Sequence, residues 1–377
     1  MSGNVVELTQ ALVRMESVNP AYDPASPGTP PVIDFVAHWG AEHGFEVERH
    51  PVQGGLENLV LRLSNGPGRH LLFNGHLDTV SVVGMEGDPF GAAIRDGKLW
   101  GRGSCDMKGP VAAMLIAAQR LAQERESWSG TLTLGFTPDE EVATAGIRAL
   151  IGQIARPDAA IVGEPTLLKP LRGCKGNIRF AFRCHGKAAH SSRPEQGRNA
   201  VVAMARAILA LNDYFADVLG AIQRPQFGPS TGSVGIVQGG SGINIVPDEC
   251  AIQVDIRLIP GQDPEATLAD LKAMLRERFP DGDGYRWSFE LLHLDVAFEI
   301  AQDHPFTEAV KTLTGTEEAQ VAFFCCDASK IAAIGVPCLI LGPGDIAQAH
   351  TAAEFIALDQ LEAGVETYVA LARDFFA

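Results

Sequence analysis

A histidine and an aspartate follow an apolar, strand-like run early in the chain. The run Leu71–Gly75 ends at His76, and Asp78 comes two residues later. Ligands in open α/β sheets bind at the carboxyl ends of strands. Residues two apart in an extended segment share a face. Asp78 could therefore bind a metal beside His76, or it could accept the N–H of the His76 ring, as second partners of metal-bound histidines commonly do.

Further carboxylates and a second histidine occur near other strand ends and glycine turns. These candidate ligands are Asp106, Glu140, Glu141, Glu164 and His350. Two histidines with several carboxylates suit zinc or another borderline divalent ion. Two ions need a shared ligand, and a carboxylate can bridge them. Glycines on both sides of Asp106 let the backbone bring it to the centre, so we predict that all these segments meet at one metal centre.

Glu140 and Glu141 are adjacent, and adjacent side chains diverge. One of them can bind metal while the other reaches a water molecule. That division places a general base beside a water of lowered pKa, which is the requirement for metal-assisted hydrolysis. Taken singly, each candidate has a simpler explanation as a helix cap, a solvated helix start or a loop residue. Their joint occurrence favours the metal centre.

Bulk composition limits the classes of partner. The chain has 377 residues and a net charge of −16, which predicts two domains and argues against nucleic acid or an anionic membrane. Its apolar runs fall short of the roughly 20 residues that a membrane span needs. The N-terminus lacks the features of a signal peptide. Seven cysteines without a C-x-x-C pair read as reduced thiols, so we expect a cytoplasmic protein.

The elements that must position these residues follow two patterns. Strand-like and helix-like segments alternate up to about residue 174, which predicts an α/β layered domain. The predicted helices are 3–16, 30–44, one from Gly109 and 145–154, and the predicted strands are 58–63, 69–75, 131–137 and 159–162, with 99–103 a strand or a turn. The same pattern returns after residue 290, with a helix at 304–313, strands at 320–324 and 338–341, and a helix at 359–372.

The middle of the chain has a different character. Segments 177–184 and 250–258 alternate apolar with polar residues, which indicates an antiparallel sheet with one covered face. Two helices fit this region, one at 199–211 and one with Asp263 as N-cap and Pro264 at its first position. We therefore predict a mixed-sheet α/β domain at 1–174 and 291–377, with an α+β domain inserted at 175–290.

Five motifs together resemble the dinuclear zinc amidohydrolase and peptidase family of acetylornithine deacetylase, succinyl-diaminopimelate desuccinylase, aminoacylases and glutamate carboxypeptidase. The resemblance covers essentially the whole chain. The motifs are Gly75-His76-Leu77-Asp78-Thr79-Val80, Gly103 to Gly109 around Asp106, Asp139-Glu140-Glu141, Gly163-Glu164-Pro165-Thr166 and Gln348-Ala349-His350.

The resemblance implies a role for each candidate. His76 and Glu164 would hold one zinc ion, Glu141 and His350 the other, and Asp106 would bridge them; Co²⁺ or Mn²⁺ would suit the same ligands. Asp78 would be the outer partner of His76. Glu140 would be the general base that passes a proton from water to the leaving amine. The family also implies a cis peptide bond after the bridging aspartate, which places it at Asp106–Met107.

The inserted domain is similar to the lid and dimerisation domain of that family. Within Gly186–Ser192, the resemblance implies that His190 crosses to the partner's active site in a homodimer and stabilises the oxyanion. A histidine capping a turn is the simpler alternative. Asn244 and Arg257 would bind the substrate carboxylate, which an arginine fork matches well. As a plain strand residue, Arg257 would be solvated.

The resemblance implies hydrolysis of an amide bond next to a free α-carboxylate. The motif Leu341–His350 looks most like acetylornithine deacetylases, which remove the acetyl group of N-acetylornithine in amino-acid biosynthesis. Other candidate activities are desuccinylation of N-succinyl-diaminopimelate, a carboxypeptidase or dipeptidase, and a broad N-acyl-amino-acid hydrolase. A catalytically silent binding protein is the alternative of another class. Asp327 and Asp345 are candidate contacts for a cationic substrate side chain.

Overall fold

The computed structural model describes residues 4–377, which form two compact units. The first unit runs to Gly173 and resumes at Ile300–Gln320 and Cys326–Ala377. The second consists of Cys174–Glu299 and Val321–Cys325. Among residues 4–377, no helix combines the length and the apolar character that crossing a membrane requires.

Helices and short strands of the first unit alternate along the chain. Its α-helices are Val5–Arg14, Pro30–Glu42, Gly109–Gln123, Ala145–Gln153, Pro305–Thr314, Ala328–Ala333 and Leu358–Phe376. Its strands are Glu46–Val52, Leu56–Asn65, His70–His76, Ala93–Arg95, Lys98–Trp100, Gly130–Thr137, Ala159–Val162, Cys338–Ile340 and Phe355–Ala357, with Leu171–Cys174 at its end.

The large sheet of this unit is mixed. Its strand order is Glu46–Val52, Leu56–Asn65, Gly130–Thr137, His70–His76, Ala159–Val162, Cys338–Ile340 and Leu171–Cys174. The strands from Gly130–Thr137 to Cys338–Ile340 are parallel to their neighbours, whereas the outer pairings are antiparallel. The parallel strands end at one edge, and three segments with candidate ligands follow directly from them.

The helix Gly109–Gln123 supports that edge from within the core. Its residues from Gly109 to Ala118 are all buried, and it packs against helices Leu358–Phe376 and Val5–Arg14. Alanines at many of these positions keep the helix narrow and suit close packing. Gly75 is needed for a similar reason, because a Cβ there would lie 2.8 Å from Cε of Met107. The last strand residue, His76, is thereby held against this layer.

The second unit is a four-stranded antiparallel sheet with helices on one face. The strand order is Thr231–Gly239, Glu249–Leu258, Gly176–His185 and Arg286–Asp295. Helices Ala200–Tyr214 and Pro264–Arg278 cover the apolar side chains of the two central strands. Short strands Gln223–Arg224, Gly228–Pro229, Ala189–His190 and Ile245–Val246 lie in its loops.

The predicted mixed α/β fold class with an α+β insertion is confirmed, and the element boundaries shift by a few residues. Asp263 caps its helix as predicted, since its Oδ1 accepts from the N–H of Glu265 and Ala266. The helix predicted at 3–16 is Val5–Arg14, and position 3 lies outside the described residues. The strand predicted at 320–324 is only Gln320–Ala322. The inserted unit extends to Glu299, beyond the predicted residue 290.

Candidate metal centre

Asp106 lies between the two candidate histidine ligands. Its Oδ1 is 3.0 Å from Nε2 of His76, and its Oδ2 is 3.3 Å from Nε2 of His350. Each carboxylate oxygen therefore faces a different imidazole, which is the disposition that a bridging ligand requires. Asp106 is buried within the irregular turn Ser104–Lys108, and the Asp106–Met107 peptide bond is cis.

The remaining candidate ligands extend this arrangement on both sides. Oε1 of Glu164 lies 4.0 Å from Nε2 of His76, and Oε2 of Glu141 lies 3.0 Å from Nε2 of His350. Potential ligand atoms of His76, Glu140 and Glu164 lie within 4.8 Å of one another, as do those of His76, Asp106 and Glu141. The structure thus brings the predicted ligands into one cluster, but these two groups differ from the predicted ligand sets, because Glu140, the predicted base, lies with His76 and Glu164.

The carboxylates in this cluster are buried close to one another. Burial, followed by the charge of nearby Glu164, raises the pKa of Glu140 well above its ordinary value. Burial and Asp106 raise the pKa of Glu164 and of Glu141. Such mutual repulsion is relieved when a cation binds, because a bound ion is the largest local charge in its site.

The imidazoles respond to the same carboxylates in the opposite direction. Hydrogen bonds to Asp106 and Glu141 raise the pKa of His350 to about 10. Burial works against protonation of His76, but the hydrogen bond to Asp106 and the nearby carboxylates raise its pKa as well. The donor set of two imidazoles and buried carboxylates fits divalent ions such as Zn²⁺. His76, Asp106, Glu141, Glu164 and His350 are the residues that would hold them.

Asp78 contributes through its backbone as well as its side chain. The ring Nδ1–H of His76 donates to the Asp78 carbonyl oxygen over 2.8 Å, whereas the Asp78 carboxylate is 3.7 Å from that nitrogen. This hydrogen bond fixes the tautomer that leaves Nε2 directed at Asp106. The carboxylate instead accepts from the backbone N–H of Glu140 and Glu141, over 3.1 and 3.3 Å.

Asn19 is a buried residue that the sequence did not identify. Its Nδ2 donates to Asp78 Oδ2 and to Asp139 Oδ1, both over 2.9 Å. Asn19 thereby ties the Asp78 side chain to the turn that carries Glu140 and Glu141. The only sequence signal is an asparagine before a proline, a few residues after the first helix, and such a pair is common in ordinary turns.

Arg102 and Glu354 are two further buried residues that were not predicted from the sequence. Nη1 of Arg102 donates to Glu354 Oε2 over 2.6 Å, and both side chains are buried. The Glu354 carboxylate also accepts from backbone N–H groups next to and at Asp106. An arginine between two glycines and a glutamate four residues after His350 were the available signals, and neither suggests a contact.

His190 and Asn244 lie on exposed loops of the second unit. The N–H of Ser192 donates to Nδ1 of His190 over 3.1 Å, and the Asn244 carbonyl oxygen accepts from the N–H of Ser191. The turn-capping alternative for His190 is therefore present in the structure. It leaves the other ring nitrogen, Nε2, as the atom that a catalytic role would use.

Arg257 is held on the polar face of its strand. Its Nε donates to Asp255 Oδ1 over 2.6 Å, and Arg179, on the neighbouring strand, donates to Asp255 Oδ2 over 2.8 Å. Burial and then the positive charge of Arg257 lower the pKa of Lys175, which is itself buried. Two neighbouring cations, one of them anchored by Asp255, suit a carboxylate ligand.

The two aspartates considered for a cationic substrate group have different surroundings. Asp345 accepts from the N–H of Ala347 and caps a short helical turn, which is a structural role. Asp327 is buried, and its Oδ2 accepts from the Thr137 hydroxyl over 2.8 Å. Burial raises the pKa of Asp327 to about 6.

Comparisons with known proteins agree with this geometry. The sequence profile described as Peptidase family M20/M25/M40 matches residues 72–374. An acetylornithine deacetylase from Proteus mirabilis is 34% identical over 383 residues, covering 98% of this chain and 96% of the relative. An acetylornithine deacetylase from Photorhabdus laumondii is 34% identical and covers 93% of this chain and 92% of its own.

Solved structures show the same fold. The M20 family metallo-carboxypeptidase Sso-CP2 from Sulfolobus solfataricus matches with a TM-score of 0.83 and 17% identity, covering 100% of this chain and 99% of that chain. The YXEP protein of Bacillus subtilis, described as a dinuclear metal binding peptidase from the M20 family, matches at 0.70 with 17% identity, covering 99% and 97%. The chain belongs to peptidase family M20/M25/M40 and is a metal-dependent hydrolase of that family.

Proposed function

We propose that this enzyme hydrolyses an amide bond next to a free α-carboxylate, and that its substrate is N-acetylornithine. The observation that carries the reaction class is the position of Asp106, with one carboxylate oxygen facing each of two imidazoles. Support for the substrate comes from the acetylornithine deacetylases that resemble the chain over nearly their full length.

In this proposal His76, Asp106, Glu141, Glu164 and His350 hold two divalent ions, with zinc the preferred pair. When bound, such ions lower the pKa of water and polarise a carbonyl oxygen. Glu140 lies among the same carboxylates and takes the proton of the attacking water. It then delivers that proton to the nitrogen of the leaving amine, which is general acid–base catalysis by one carboxyl group.

Asp78 and Asn19 hold the base in place. The backbone N–H of Glu140 donates to the Asp78 carboxylate, so the base is fixed through its main chain and its side chain remains free to carry the proton. Nδ1–H of His76 is fixed by the Asp78 carbonyl oxygen. Both contacts reduce the reorganisation needed during the reaction.

The second unit supplies recognition in this proposal. Arg257, with Lys175 close by, binds the α-carboxylate of the substrate, and Asn244 adds a hydrogen bond. His190 stabilises the oxyanion in the active site of a partner subunit. Exposed apolar side chains on Ala200–Tyr214 and Thr231–Gly239, among them Leu209 and Val237, support a homodimer through this unit. Sedimentation equilibrium of the metal-loaded enzyme tests the dimer.

Turnover on a substrate panel tests the function. The panel contains N-acetylornithine, N-succinyl-diaminopimelate, neutral and aromatic N-acyl amino acids, and simple dipeptides. The highest kcat/KM is expected for N-acetylornithine. A higher kcat/KM for another member of the panel would support the proposed reaction but would replace N-acetylornithine as the proposed substrate. No turnover of any member by protein with two bound ions would contradict the enzymatic proposal and favour a binding role.

A further inference from the structure

The segment that carries Asp106 pairs only some of its backbone N–H groups within itself, those of Ser104 and Lys108 among them. Gly103 has a left-handed conformation with φ 77°, and Asp106 is extended at φ −120° and ψ 94°, so no continuous helix forms here. The residues from Gly103 to Lys108 are nonetheless buried. Buried N–H groups need acceptors, because leaving one unpaired costs stability.

Glu354 supplies the acceptors from a distant part of the sequence. Its Oε1 accepts from the N–H of Cys105 over 2.9 Å and of Asp106 over 3.0 Å. Its Oε2 accepts from the N–H of Gly103 over 3.1 Å and from Nη1 of Arg102 over 2.6 Å. Four donors use the full accepting capacity of one carboxylate. The backbone N–H groups of the turn thus bind the Glu354 carboxylate in the way that such groups bind an anion.

Arg102 extends the same contact to two further ligand segments. Its Nε and Nη2 donate to the Ser81 carbonyl oxygen over 3.2 and 2.9 Å, three residues after Asp78. Nη2 also lies 3.4 Å from the carbonyl oxygen of Thr351, the residue after His350. One ion pair therefore touches the segments that carry Asp78, Asp106 and His350.

We propose that the buried Arg102–Glu354 pair positions Asp106 relative to His76 and His350 and thereby sets the affinity of the centre for its metal ions. The inference rests on the metal centre of the proposed function. Neither residue is a ligand, since the oxygens of Glu354 are used by four N–H donors. Both act through the backbone of the segments that carry the ligands, so they are positioning residues.

A purely structural role is the alternative, and the two roles differ in what they predict. A buried ion pair adds little net stability over an apolar pair of similar volume, so stability alone gives a weak reason for it. A positioning role predicts that metal affinity falls more than the loss of stability explains. Outer contacts of metal ligands typically change metal affinity about 10–100-fold when removed.

The test compares variants by zinc affinity and by thermal stability of the metal-free protein. Zn²⁺ is titrated into chelator-stripped enzyme against a chromophoric competitor, and the absorption spectrum of the Co²⁺-loaded enzyme reports ligand geometry. Glu354→Gln keeps the shape of the side chain but turns an NH₂ group towards N–H donors. Arg102→Lys keeps the charge but cannot reach Glu354 and Ser81 together. Val36→Ala, a buried site on helix Pro30–Glu42, is the destabilised control.

We expect Glu354→Gln and Arg102→Lys to raise the zinc dissociation constant about 10–100-fold and to alter the Co²⁺ spectrum. Val36→Ala should lower Tm by a comparable amount without changing either property. The inference would be overturned if Glu354→Gln and Arg102→Lys both kept the wild-type zinc affinity and Co²⁺ spectrum. An equal loss of zinc affinity in Val36→Ala would overturn it as well. Failure of the wild-type protein to bind zinc would refute the metal centre itself, a result distinct from these.

Discussion

The candidate ligands of the first unit, His350 excepted, are held more firmly than the proposed recognition residues of the second. His76, Asp106 and Glu164 have relative exposures of 1%, 6% and 4%, and His76 and Asp106 are fixed by hydrogen bonds, whereas the side chain of His350 is 53% exposed. His190 and Asn244 are exposed on loops, and the Arg257 side chain is 29% exposed.

This difference separates two requirements of a hydrolase. Groups that hold ions and move protons work best when they are preorganised, because reorganisation during the reaction raises the barrier. Groups that recognise a substrate must remain accessible to it. If chemistry and recognition divide between the two units in this way, changes in the two units should have different effects.

Removal of metal should have the largest effect. Chelation is expected to abolish turnover, and added Zn²⁺, Co²⁺ or Mn²⁺ should restore it to different extents. Hydrogen exchange should accelerate at 103–106, where the carboxylates lose their compensating charge, and remain unchanged in strand Gly176–His185. Equal acceleration in both units would contradict the division of roles.

Glu140→Gln is expected to lower kcat by about 10²–10⁴-fold, because the general base is lost. The variant should still bind two metal ions, since the ligand set is intact. Glu57→Gln, a change of the same kind on the strand Leu56–Asn65, serves as the control and should leave kcat unchanged. Steady-state kinetics with metal analysis checks both; loss of bound metal in Glu140→Gln would make it a ligand instead.

Arg257→Ala should raise KM about 10–100-fold with a smaller change in kcat. The substitution removes the hydrogen bond between the guanidinium group and the substrate carboxylate, and a hydrogen bond to a charged group contributes about 1.5–3 kcal/mol to binding. Arg179→Ala provides a close match, since Arg179 binds the other oxygen of the same Asp255. That control should leave KM near the wild-type value. A rise of KM in Arg179→Ala without one in Arg257→Ala would show that Arg179, and not Arg257, recognises the substrate.

Asn19→Ala is expected to have the smallest effect, a decrease of about tenfold in kcat with both ions bound. Its amide holds Asp78 and Asp139, and through them the turn with Glu140. Asn58→Ala removes a buried asparagine that donates to Gly146 and Gln153. Asn58→Ala should lower Tm but decrease kcat less than Asn19→Ala does. A larger decrease of kcat in Asn58→Ala than in Asn19→Ala would argue against a positioning role for Asn19.

The candidate ligands could be predicted because each one lies beside a local signal. His76 ends an apolar run, Glu164 follows another, and Asp106 lies between glycines. Arg102, Glu354 and Asn19 could not be predicted, since their contacts join residues up to 252 positions apart and depend on main-chain atoms. The hydrogen bonds of Asp78 could not be predicted either. The spacing of residues in an extended segment indicates on which face a side chain lies, but not which group it contacts.

The fold shows the same limit. Alternation of apolar and polar residues identified the two central strands of the second unit, Gly176–His185 and Glu249–Leu258. Its outer strands, Thr231–Gly239 and Arg286–Asp295, were not predicted. Several of their large side chains are exposed, so they lack the clean contrast between buried and solvated positions. Edge strands form because a neighbour offers hydrogen bonds, and that information is not local.

The order of the large sheet also bears on biosynthesis. Strand Cys338–Ile340 lies between Ala159–Val162 and Leu171–Cys174, so a gap in the sheet persists until the ribosome has released that late segment. His350 and Glu354 follow within the same stretch. Contacts of such long sequence separation slow folding, because loop closure comes before any gain. The nascent chain therefore cannot assemble the proposed ion site before residues 338–354 have left the ribosome, and metallation should follow the synthesis of that segment.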